Sequence, residues 1–421
     1  MKKNNILNQE KALLVGVLSK EQDSKILNEH LSELKLLAET AGAAVVGEIY
    51  QSINKINSQY FVGKGKALQI IEQAKELKVK LIIFDDELTP SQVKNFLKLA
   101  KKMKIIDRNG LILDIFSKHA KTRESKTQVE LAHLEYMLPR LSKQWSHLER
   151  QMGGIGTRAG MGESQIEIDR RLIRKRISKL KKDLIHIENE RRIQSKMRIS
   201  KYRVSLVGYT NAGKSSLMKC LSGENVYIQN QLFATLDTTI RKVHLDKYHS
   251  ILLSDTVGFI RKLPHDLIAS FKSTLFEVVE SDLVLIVLDA SSKHINEHMN
   301  TINNVLNELG ANDIKTLIVL NKLDLLTTRN RIKYLRSNYP DAVMISAIDH
   351  LRINKLINRI INIMNDEYET IEISIPYSEA RQISMAQKNV QVLDRIYKED
   401  RINLKIKGSK ERIKNILNNS K

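Results

Sequence analysis

The segment at residues 203–220, RVSLVGYTNAGKSSLMKC, constrains the fold more than any other part of this chain. An apolar strand pattern runs into a loop with a glycine at each end, and a helical pattern follows. This spacing at a strand-to-helix junction is typical of a phosphate-binding loop, because backbone N–H groups can turn toward phosphate oxygens at the positive end of a helix. We therefore predict an α/β domain with a mostly parallel sheet and helices on both faces. The loop residues are Gly208, Tyr209, Thr210, Asn211, Ala212, Gly213, Lys214 and Ser215.

Phosphate and metal contacts are predicted from this loop and from one later strand. Lys214 should contact the β- and γ-phosphates, and the Ser215 hydroxyl should ligate Mg²⁺. The segment ILLSDTVG supplies Asp255, placed to hold Mg²⁺ through a water molecule, and Gly258, whose N–H can sense the γ-phosphate. Open α/β sheets bind ligands at the carboxyl ends of their strands, and these residues all follow strand patterns.

The strand pattern TLIVLNKLD predicts which base is bound. It ends in a carboxylate, Asp324, that can accept hydrogen bonds from both the ring N–H and the exocyclic amine of guanine. Adenine has no such donor pair and would leave the charge unpaired. After the next strand, AVMISA offers a backbone N–H to the guanine carbonyl. The predicted guanine-site residues are Asn321, Lys322, Leu323, Asp324, Ser346 and Ala347.

Changes of pattern divide the 421 residues, too many for a single core, into four parts. We predict an N-terminal α/β domain at 1–116, a helical hairpin at 117–200, the nucleotide-hydrolysing domain at 201–366 and a small α/β domain at 367–421. The last part should run strand, helix, strand, helix, with MAQKNVQVLDRI as its first helix. In the first part, the loop VGKGK is a weak candidate for phosphate contact.

The predicted hairpin combines two apolar seams with a basic helix. Its apolar residues recur at steps of three and four, as in coiled coils, and the intervening QMGGIGTRAGMGES is too rich in glycine for a helix. Pro139 should kink the first helix. The seams are Leu131, Leu134, Leu138, Leu141, Trp145 and Leu148 in the first helix, and Ile173, Ile177, Leu180, Leu184 and Ile187 in the second.

Positive charge is concentrated at the start of the second hairpin helix, DRRLIRKRISKLKK. The whole chain has 69 Lys and Arg against 48 Asp and Glu, a net charge of +21, which suggests a polyanionic partner. Clustering beside a glycine-rich loop favours phosphate binding over a merely solvated helix face. The clustered residues are Arg170, Arg171, Arg174, Lys175, Arg176, Lys179, Lys181 and Lys182.

Composition argues against several other classes of protein. No run of about 18 apolar residues occurs, so no stable membrane insertion is expected. The first residues lack a small-residue cleavage site and predict a strand instead of a signal peptide. Cys220 is the only cysteine and the histidines lack metal-ligand spacing, which excludes a disulfide framework and a zinc cluster and favours a reducing, cytoplasmic compartment.

The chain resembles the HflX family of translational GTPases, of the TRAFAC class, over most of its length. The resemblance rests on GYTNAGKSSL, LFATLDTTIRK, DTVGFIRKLPHDLIASFKSTL and NKLD, and outside the nucleotide site on YFVGKGK, FDDELTPSQVKN, DRNGLILDIFSKHAKTRESKTQVELAHLEYMLPRL and EIDRRLIRKRI. It implies a GTPase that binds the large ribosomal subunit and its rRNA, with the glycine-rich tip approaching the RNA. In this sequence the tip reads RAGMGESQ, where the family has a shorter Arg-Gly-Pro-Gly-Glu.

The same resemblance implies a first switch and its metal ligand. Thr235 would complete Mg²⁺ coordination beside Ser215, although Thr238 and Thr239 also carry hydroxyl groups, and Thr238 stands where the family has proline. SAIDH keeps only the first two residues of the family's guanine-backing loop. The switch residues are Phe233, Ala234, Thr235, Leu236 and Asp237, and the second motif contributes Asp255, Thr256, Val257 and Gly258.

Phe259 occupies the position after the Gly258 motif, where many GTPases carry a glutamine that orients the attacking water. A phenyl ring cannot align a nucleophile, so we predict slow intrinsic hydrolysis and stimulation by ribosomes; the alternative is that Phe259 is simply a core residue. The predicted activity is GTP hydrolysis with Mg²⁺ by a monomer that acts on ribosomal subunit association. DNA is not expected as a partner, and peripheral membrane association stays open. The alternatives are an ATP-dependent RNA-remodelling factor that uses the N-terminal domain, and a nucleotide-stabilised RNA-binding module without turnover.

Overall fold

The computed structural model describes residues 10–19, 24–100, 102–141, 165–196, 201–223, 232–233, 235–247, 249–262, 275–379, 383–384, 386 and 390–418. Two compact units are present. The first comprises Met1–Ile185, Gln231–Ala234 and Leu263–Phe271, and the second His186–Asn230, Thr235–Lys262 and Lys272–Lys421. The division into four domains stays a prediction.

The first unit is built on a four-stranded parallel sheet, across which the strands lie in the order β2 (Ala43–Ile53), β1 (Glu10–Ser19), β3 (Leu81–Phe84) and β4 (Lys104–Asp107). Its core joins apolar side chains of the strands to those of the second and third helices, among them Val15, Ile82, Ile70 and Phe96. The elements are β1 (Glu10–Ser19), α1 (Ser24–Thr40), β2 (Ala43–Ile53), α2 (Lys64–Glu76), β3 (Leu81–Phe84), α3 (Pro90–Leu99), β4 (Lys104–Asp107) and α4 (Arg108–His119).

Two further helices of this region carry the predicted hairpin seams. α5 (Arg123–Met137) is followed by a 3₁₀ turn at Leu138–Arg140, and α6 spans Gln165–Lys196. Leu131 and Leu134 pack against Leu180, with Ile173 and Ile177 beside them. The expected kink at Pro139 is wrong, because α5 ends before the proline, whose ring cannot continue the helix. Trp145 and Leu148 lie outside the described residues.

The second unit contains a six-stranded sheet that is parallel except for its last strand. Across it the strands lie in the order β10 (Val343–Met344), β9 (Lys315–Asn321), β8 (Leu283–Asp289), β5 (Tyr202–Gly208), β7 (Ser250–Asp255) and β6 (Thr239–His244). Since β5 is central and its neighbours are buried apolar strands, the loops at their carboxyl ends meet above one core. The predicted fold class is therefore confirmed. The elements are β5 (Tyr202–Gly208), α7 (Lys214–Ser222), β6 (Thr239–His244), β7 (Ser250–Asp255), α8 (Phe276–Val279), β8 (Leu283–Asp289), α9 (Ile295–Glu308), β9 (Lys315–Asn321), α10 (Arg329–Asn338), β10 (Val343–Met344) and α11 (Ile353–Glu367).

The C-terminal residues form a three-stranded antiparallel sheet, in which the last strand of the chain lies between the other two. Its elements are β11 (Tyr368–Pro376), β12 (Gln391–Tyr397), β13 (Arg401–Ser409) and α12 (Lys410–Asn418). The helix predicted for MAQKNVQVLDRI is wrong over its second half, which is strand β12. Val392 pairs with Ile406 and joins the apolar core there, so tertiary pairing overrides the local helical pattern.

Two absences concern only the described part of the chain. None of its helices combines the length and the apolar character that crossing a bilayer requires. No cluster of three or more His, Cys, Asp or Glu side chains suited to a metal ion occurs among the same residues.

Candidate nucleotide site

The predicted phosphate-binding loop joins β5 to α7, and it requires glycine at both ends. Gly213 has φ +93°, in the left-handed region, and a Cβ there would overlap Nδ2 of Asn321. A Cβ at Gly208 would overlap the backbone carbonyl of Val287. Asn211 also has a positive φ of 60°. Backbone conformation and close packing together hold the loop against the strands.

Lys214 is buried at the start of α7. Its Nζ donates hydrogen bonds to the carbonyl oxygens of Gly208 and Tyr209, each at 3.0 Å. Burial lowers the pKa of Lys214 to about 8, and the Asp255 carboxylate opposes this shift. Phosphate oxygens would be stronger partners for this ammonium than neutral carbonyls, because both groups would then be charged.

Ser215, Thr235 and Asp255 converge beside the loop. Ser215 Oγ donates to Asp255 Oδ2 at 2.6 Å and lies 2.9 Å from Thr235 Oγ1, which is 3.3 Å from the same carboxylate oxygen. Burial raises the pKa of Asp255, while Lys214 and the hydroxyl hydrogen bonds of Ser215 and Thr235 lower it. Asp255 Oδ1 is buried without a hydrogen-bond partner among the described residues. Two hydroxyls and a carboxylate with a free acceptor fit Mg²⁺, which prefers oxygen ligands and retains water.

Backbone hydrogen bonds join the residues after Asp255 to the phosphate-binding loop. The Phe259 N–H donates to the Gly208 carbonyl at 3.0 Å, and the Thr210 N–H donates to the Phe259 carbonyl at 2.8 Å. The Phe259 side chain is 1% exposed. A Cβ at Gly258 would press on the backbone of Thr210, so this approach needs glycine. The Phe259 side chain is therefore buried, and it offers no polar group that could orient a water molecule; burial agrees with both interpretations of this residue, and the rate of hydrolysis stays a prediction.

Asn321 links the loop to the predicted guanine-site segments. Its Nδ2 donates to the Ala212 carbonyl, and its Oδ1 accepts from the Ala347 N–H, both at 3.0 Å. Asp324 lies exposed in a 3₁₀ turn, Leu323–Leu325, so its carboxylate is accessible to a base. Ser346 Oγ accepts from the backbone N–H of Asp349 at 3.2 Å, which stabilises that loop. The structure thus brings these three segments together.

The remaining predicted residues have structural surroundings of their own. Thr256 Oγ1 donates to the Leu206 carbonyl at 2.7 Å, and Val257 and Leu236 are buried. Asp237 is half-buried. Phe233 belongs to the first compact unit, where its ring packs edge-on against Phe116 with centroids 4.7 Å apart. Ala234 lies outside the described residues.

Two contacts at the site are not among those predicted from the sequence. Lys322 forms an ion pair with Asp289 at 2.7 Å. Asp289 ends the apolar strand LVLIVLD, and a carboxylate at the end of a buried strand is a sequence signal for a site residue. The Tyr209 ring stacks on His298 with centroids 3.9 Å apart, and its hydroxyl accepts from the Arg261 N–H at 2.9 Å. No spacing rule predicts His298, because it reaches the loop from the separate helix α9.

The weaker candidate segment, VGKGK, enters α2 of the first unit, which begins at Lys64 within it. A Cβ at Gly65 would meet open space, and one at Gly63 would meet only the Gln51 side chain at 3.8 Å. Neither glycine is required by a close approach, in contrast to Gly208 and Gly213. The geometry does not strengthen the prediction of a second phosphate site there.

Long basic side chains on one face of the N-terminal half of α6 enclose an open space of about 780 Å³ between them, and we call this surface of a single helix the α6 groove. Arg176 and Lys181 do not line it. Arg176 forms two hydrogen bonds with Glu130, at 2.6 and 2.8 Å, and Lys181 lies 2.8 Å from Glu135. The predicted basic cluster is therefore smaller than its sequence suggests, since two members pair with acids of α5. The lining residues are Glu167, Arg170, Arg171, Arg174, Lys175, Ser178, Lys179 and Lys182.

Three family models match the chain. Residues 28–117 match the GTP-binding GTPase N-terminal family and 119–198 the GTP-binding GTPase Middle Region. Residues 203–322, which contain the phosphate-binding loop and Asn321, match the 50S ribosome-binding GTPase family.

Relatives named GTPase HflX are similar over most of this chain. One from Flavobacterium psychrophilum is 48% identical over 76% of this chain and 76% of its own length. Another, from Caldanaerobacter subterraneus subsp. tengcongensis, is 40% identical over 97% of this chain and 94% of its own. The Escherichia coli relative is 42% identical over 84% and 83%. The chain therefore belongs to the HflX family of ribosome-binding GTPases, and its reaction is the hydrolysis of GTP.

Proposed function

We propose that this GTPase binds the large ribosomal subunit, acts on the association of the two subunits as a monomer, and hydrolyses GTP faster when bound there. Basal hydrolysis is slow under this proposal, and the GTP-bound state persists until the large subunit stimulates the reaction. Hydrolysis then marks engagement of the partner and allows release.

The burial of Phe259 carries this proposal. Its ring is enclosed, and its backbone N–H and carbonyl are both bonded to the phosphate-binding loop. The position that often supplies a water-orienting side chain therefore offers no polar group at the site. An attacking water would have to be aligned by something else. The ribosome can do this by ordering the switch segments or by contributing a polar group.

The remaining residues have roles in this proposal that follow from their geometry. Lys214 exchanges its bonds to the Gly208 and Tyr209 carbonyls for bonds to phosphate oxygens. Ser215 and Thr235 would hold Mg²⁺ directly and Asp255 through water, and the ion would neutralise charge on the β- and γ-phosphates. Asp324 would pair with guanine.

The α6 groove supports an RNA partner. Seven of its eight lining side chains are arginine, lysine or serine, and only Glu167 is acidic. Lysine and arginine that neutralise phosphates release counterions, which gives affinity without sequence preference. A groove of this composition suits the backbone of rRNA.

Subunit association can be measured directly. Light scattering of intact ribosomes should fall when the protein is added with a non-hydrolysable GTP analogue, and should fall less with GDP. Pelleting with isolated large and small subunits gives the partner, and we expect co-sedimentation with the large subunit alone. Equal sedimentation with both subunits, or no change in scattering with either nucleotide, would contradict the proposal.

A further inference from the structure

A second, smaller cavity lies in the first unit beside the amino end of α3. It has a volume of about 200 Å³, and we call it the α3 cavity. Ser91 and Lys94 of α3, Arg140 and Leu141 after α5, and Arg170 of α6 line it. No acidic side chain lines it, and its positive charge comes from Lys94 and Arg170, because the charge of Arg140 is balanced by Asp107. Sites for drug-sized ligands span roughly 300–1,000 Å³, so this one suits a small anionic group better than a whole nucleotide.

Arg140 is held rigidly at the edge of the α3 cavity. Its Nη1 donates to the Tyr136 carbonyl at 2.9 Å, and its Nη2 donates to the Leu88 carbonyl at 2.8 Å and to Asp107 Oδ2 at 3.1 Å. The guanidinium carbon sits 3.7 Å from the centre of the Tyr136 ring. Only 6% of the side chain is exposed, yet its Nε is buried without a hydrogen-bond partner among the described residues. Because this Nε is enclosed, Arg140 contributes to the cavity through its fixed position and not through that donor.

The amino end of α3 supplies further donors. Thr89 and Gln92 form a capping box, in which the Thr89 side chain accepts from the Gln92 N–H and the Gln92 side chain accepts from the Thr89 N–H. Pro90 has no N–H, so Ser91 is the remaining first-turn amide, and Ser91 lines the cavity. The positive end of the helix dipole therefore faces the same volume as Lys94 and Arg170.

Arg170 connects this cavity to the α6 groove, since it lines both. Its Nη2 donates to the Leu141 carbonyl at 3.3 Å, which keeps the guanidinium at the junction. A polyanion lying in the groove would pass this arginine and reach the cavity. Groove and cavity together make one basic path with a concave end.

We propose that the α3 cavity binds one backbone phosphate of an RNA whose neighbouring phosphates lie along the α6 groove. This rests on the proposed RNA-binding role of that groove. The α3 cavity would hold one phosphate at a fixed position, because Arg140 and the first turn of α3 are already positioned by their own hydrogen bonds. The long side chains of the open groove add charge without a fixed position.

The test uses the full-length protein saturated with a non-hydrolysable GTP analogue, so that the phosphate-binding loop is filled. The probe is a fluorescent single-stranded RNA of about ten nucleotides without terminal phosphates, and its Kd is measured over a range of KCl. Ser91→Asp places a carboxylate in the cavity but leaves α3 stable, because an acid in the first turn favours a helix. Lys94→Ala removes one cation, and Lys98→Ala, one turn along the same helix and outside the cavity lining, is the matched control.

We expect Ser91→Asp and Lys94→Ala each to weaken RNA binding roughly five- to tenfold. Each should also reduce the slope of log affinity against log salt by about 0.7, the value for one phosphate of a single strand. Lys98→Ala should remain within about twofold of the unaltered protein, since surface charges outside a site contribute little. Equal affinity for all four proteins would overturn the inference.

Two further arms separate the possible failures. If inorganic phosphate binds and the cavity variants abolish that binding while RNA affinity is unchanged, the cavity is a site for free anions and the inference is wrong. Arg174→Glu with Lys175→Glu alters only the groove. If this double variant weakens RNA binding and the cavity variants do not, the inference fails and the proposed function stands. If neither weakens it, the RNA-binding role of the groove itself fails.

Discussion

Replacing Gly213 by alanine tests how the phosphate-binding loop is held. The residue has φ +93°, and an L-residue in the left-handed region loses roughly 1–2 kcal/mol. The new Cβ would also overlap Nδ2 of Asn321, which donates to the Ala212 carbonyl at 3.0 Å. Displacing that amide leaves a buried hydrogen bond unmade, at a cost of about 1–3 kcal/mol. We expect Gly213→Ala to lower the free energy of unfolding by about 2–5 kcal/mol.

Gly223→Ala is the matched control for this prediction. Gly223 ends the same helix at φ +68°, but a Cβ there meets nothing within 4 Å, so only the conformational part, about 1–2 kcal/mol, should be lost. Urea denaturation gives both unfolding free energies, and binding of a fluorescent GDP gives the effect on the site. Gly213→Ala should weaken GDP binding at least tenfold, and Gly223→Ala should leave it nearly unchanged. Equal losses of stability with equal GDP affinity would refute the proposed contact with Asn321.

Three further predictions concern the base, the groove and the buried lysine. Asp324→Asn should weaken GTP binding by roughly 2 kcal/mol. It should leave the free energy of unfolding unchanged, because Asp324 is exposed. Equilibrium titration with GTP checks this, and an unaltered affinity would show that Asp324 does not bind the base. Arg174→Glu with Lys175→Glu should flatten the salt dependence of ribosome binding more than Arg176→Glu does, because Arg176 pairs with Glu130 and does not line the α6 groove. An equal effect of both changes would contradict the proposal that the α6 groove binds RNA. In the nucleotide-free protein the pKa of Lys214 is lowered to about 8, so the side chain loses its proton above that pH. Because the neutral amine binds phosphate less strongly, GDP affinity measured from pH 7 to 9.5 should fall by up to tenfold per pH unit above 8. A flat GDP affinity between pH 8 and 9.5 would show that the charge of Lys214 is not needed. The same lowered pKa means that the unfolded chain binds more protons than the folded protein between pH 8 and 10.5, the ordinary pKa of lysine, so the contribution of Lys214 to stability rises over that window.

The nucleotide-binding fold could be predicted because its motifs are local and ordered. The loop from Gly208 to Ser215 needs only a strand before it and a helix after it, and both patterns are short-range. Asp255 and Asn321 were predictable for a related reason, since each ends an apolar strand and parallel strands bring their carboxyl ends to one edge. Sequence therefore identifies the segments that meet at this site.

Features that depend on contacts between distant segments were not predictable. β12 carries a helical pattern but pairs with β13, and this pairing, in which Val392 lies opposite Ile406, involves residues outside the local pattern. The sequence places Arg176 in the predicted phosphate-binding cluster, but in the structure Arg176 pairs with Glu130 of α5. The burial of Phe259 likewise follows from two backbone bonds to the phosphate-binding loop, which no periodicity in its own segment reveals.

The most direct test of the account is the rate of GTP hydrolysis with and without large ribosomal subunits. Because the enclosed Phe259 side chain cannot orient water, basal turnover should be slow. Saturating large subunits should accelerate it by about tenfold or more, equivalent to about 1.4 kcal/mol off the barrier, and small subunits should not. A basal rate that already equals the rate at saturating large subunits would contradict the central claim.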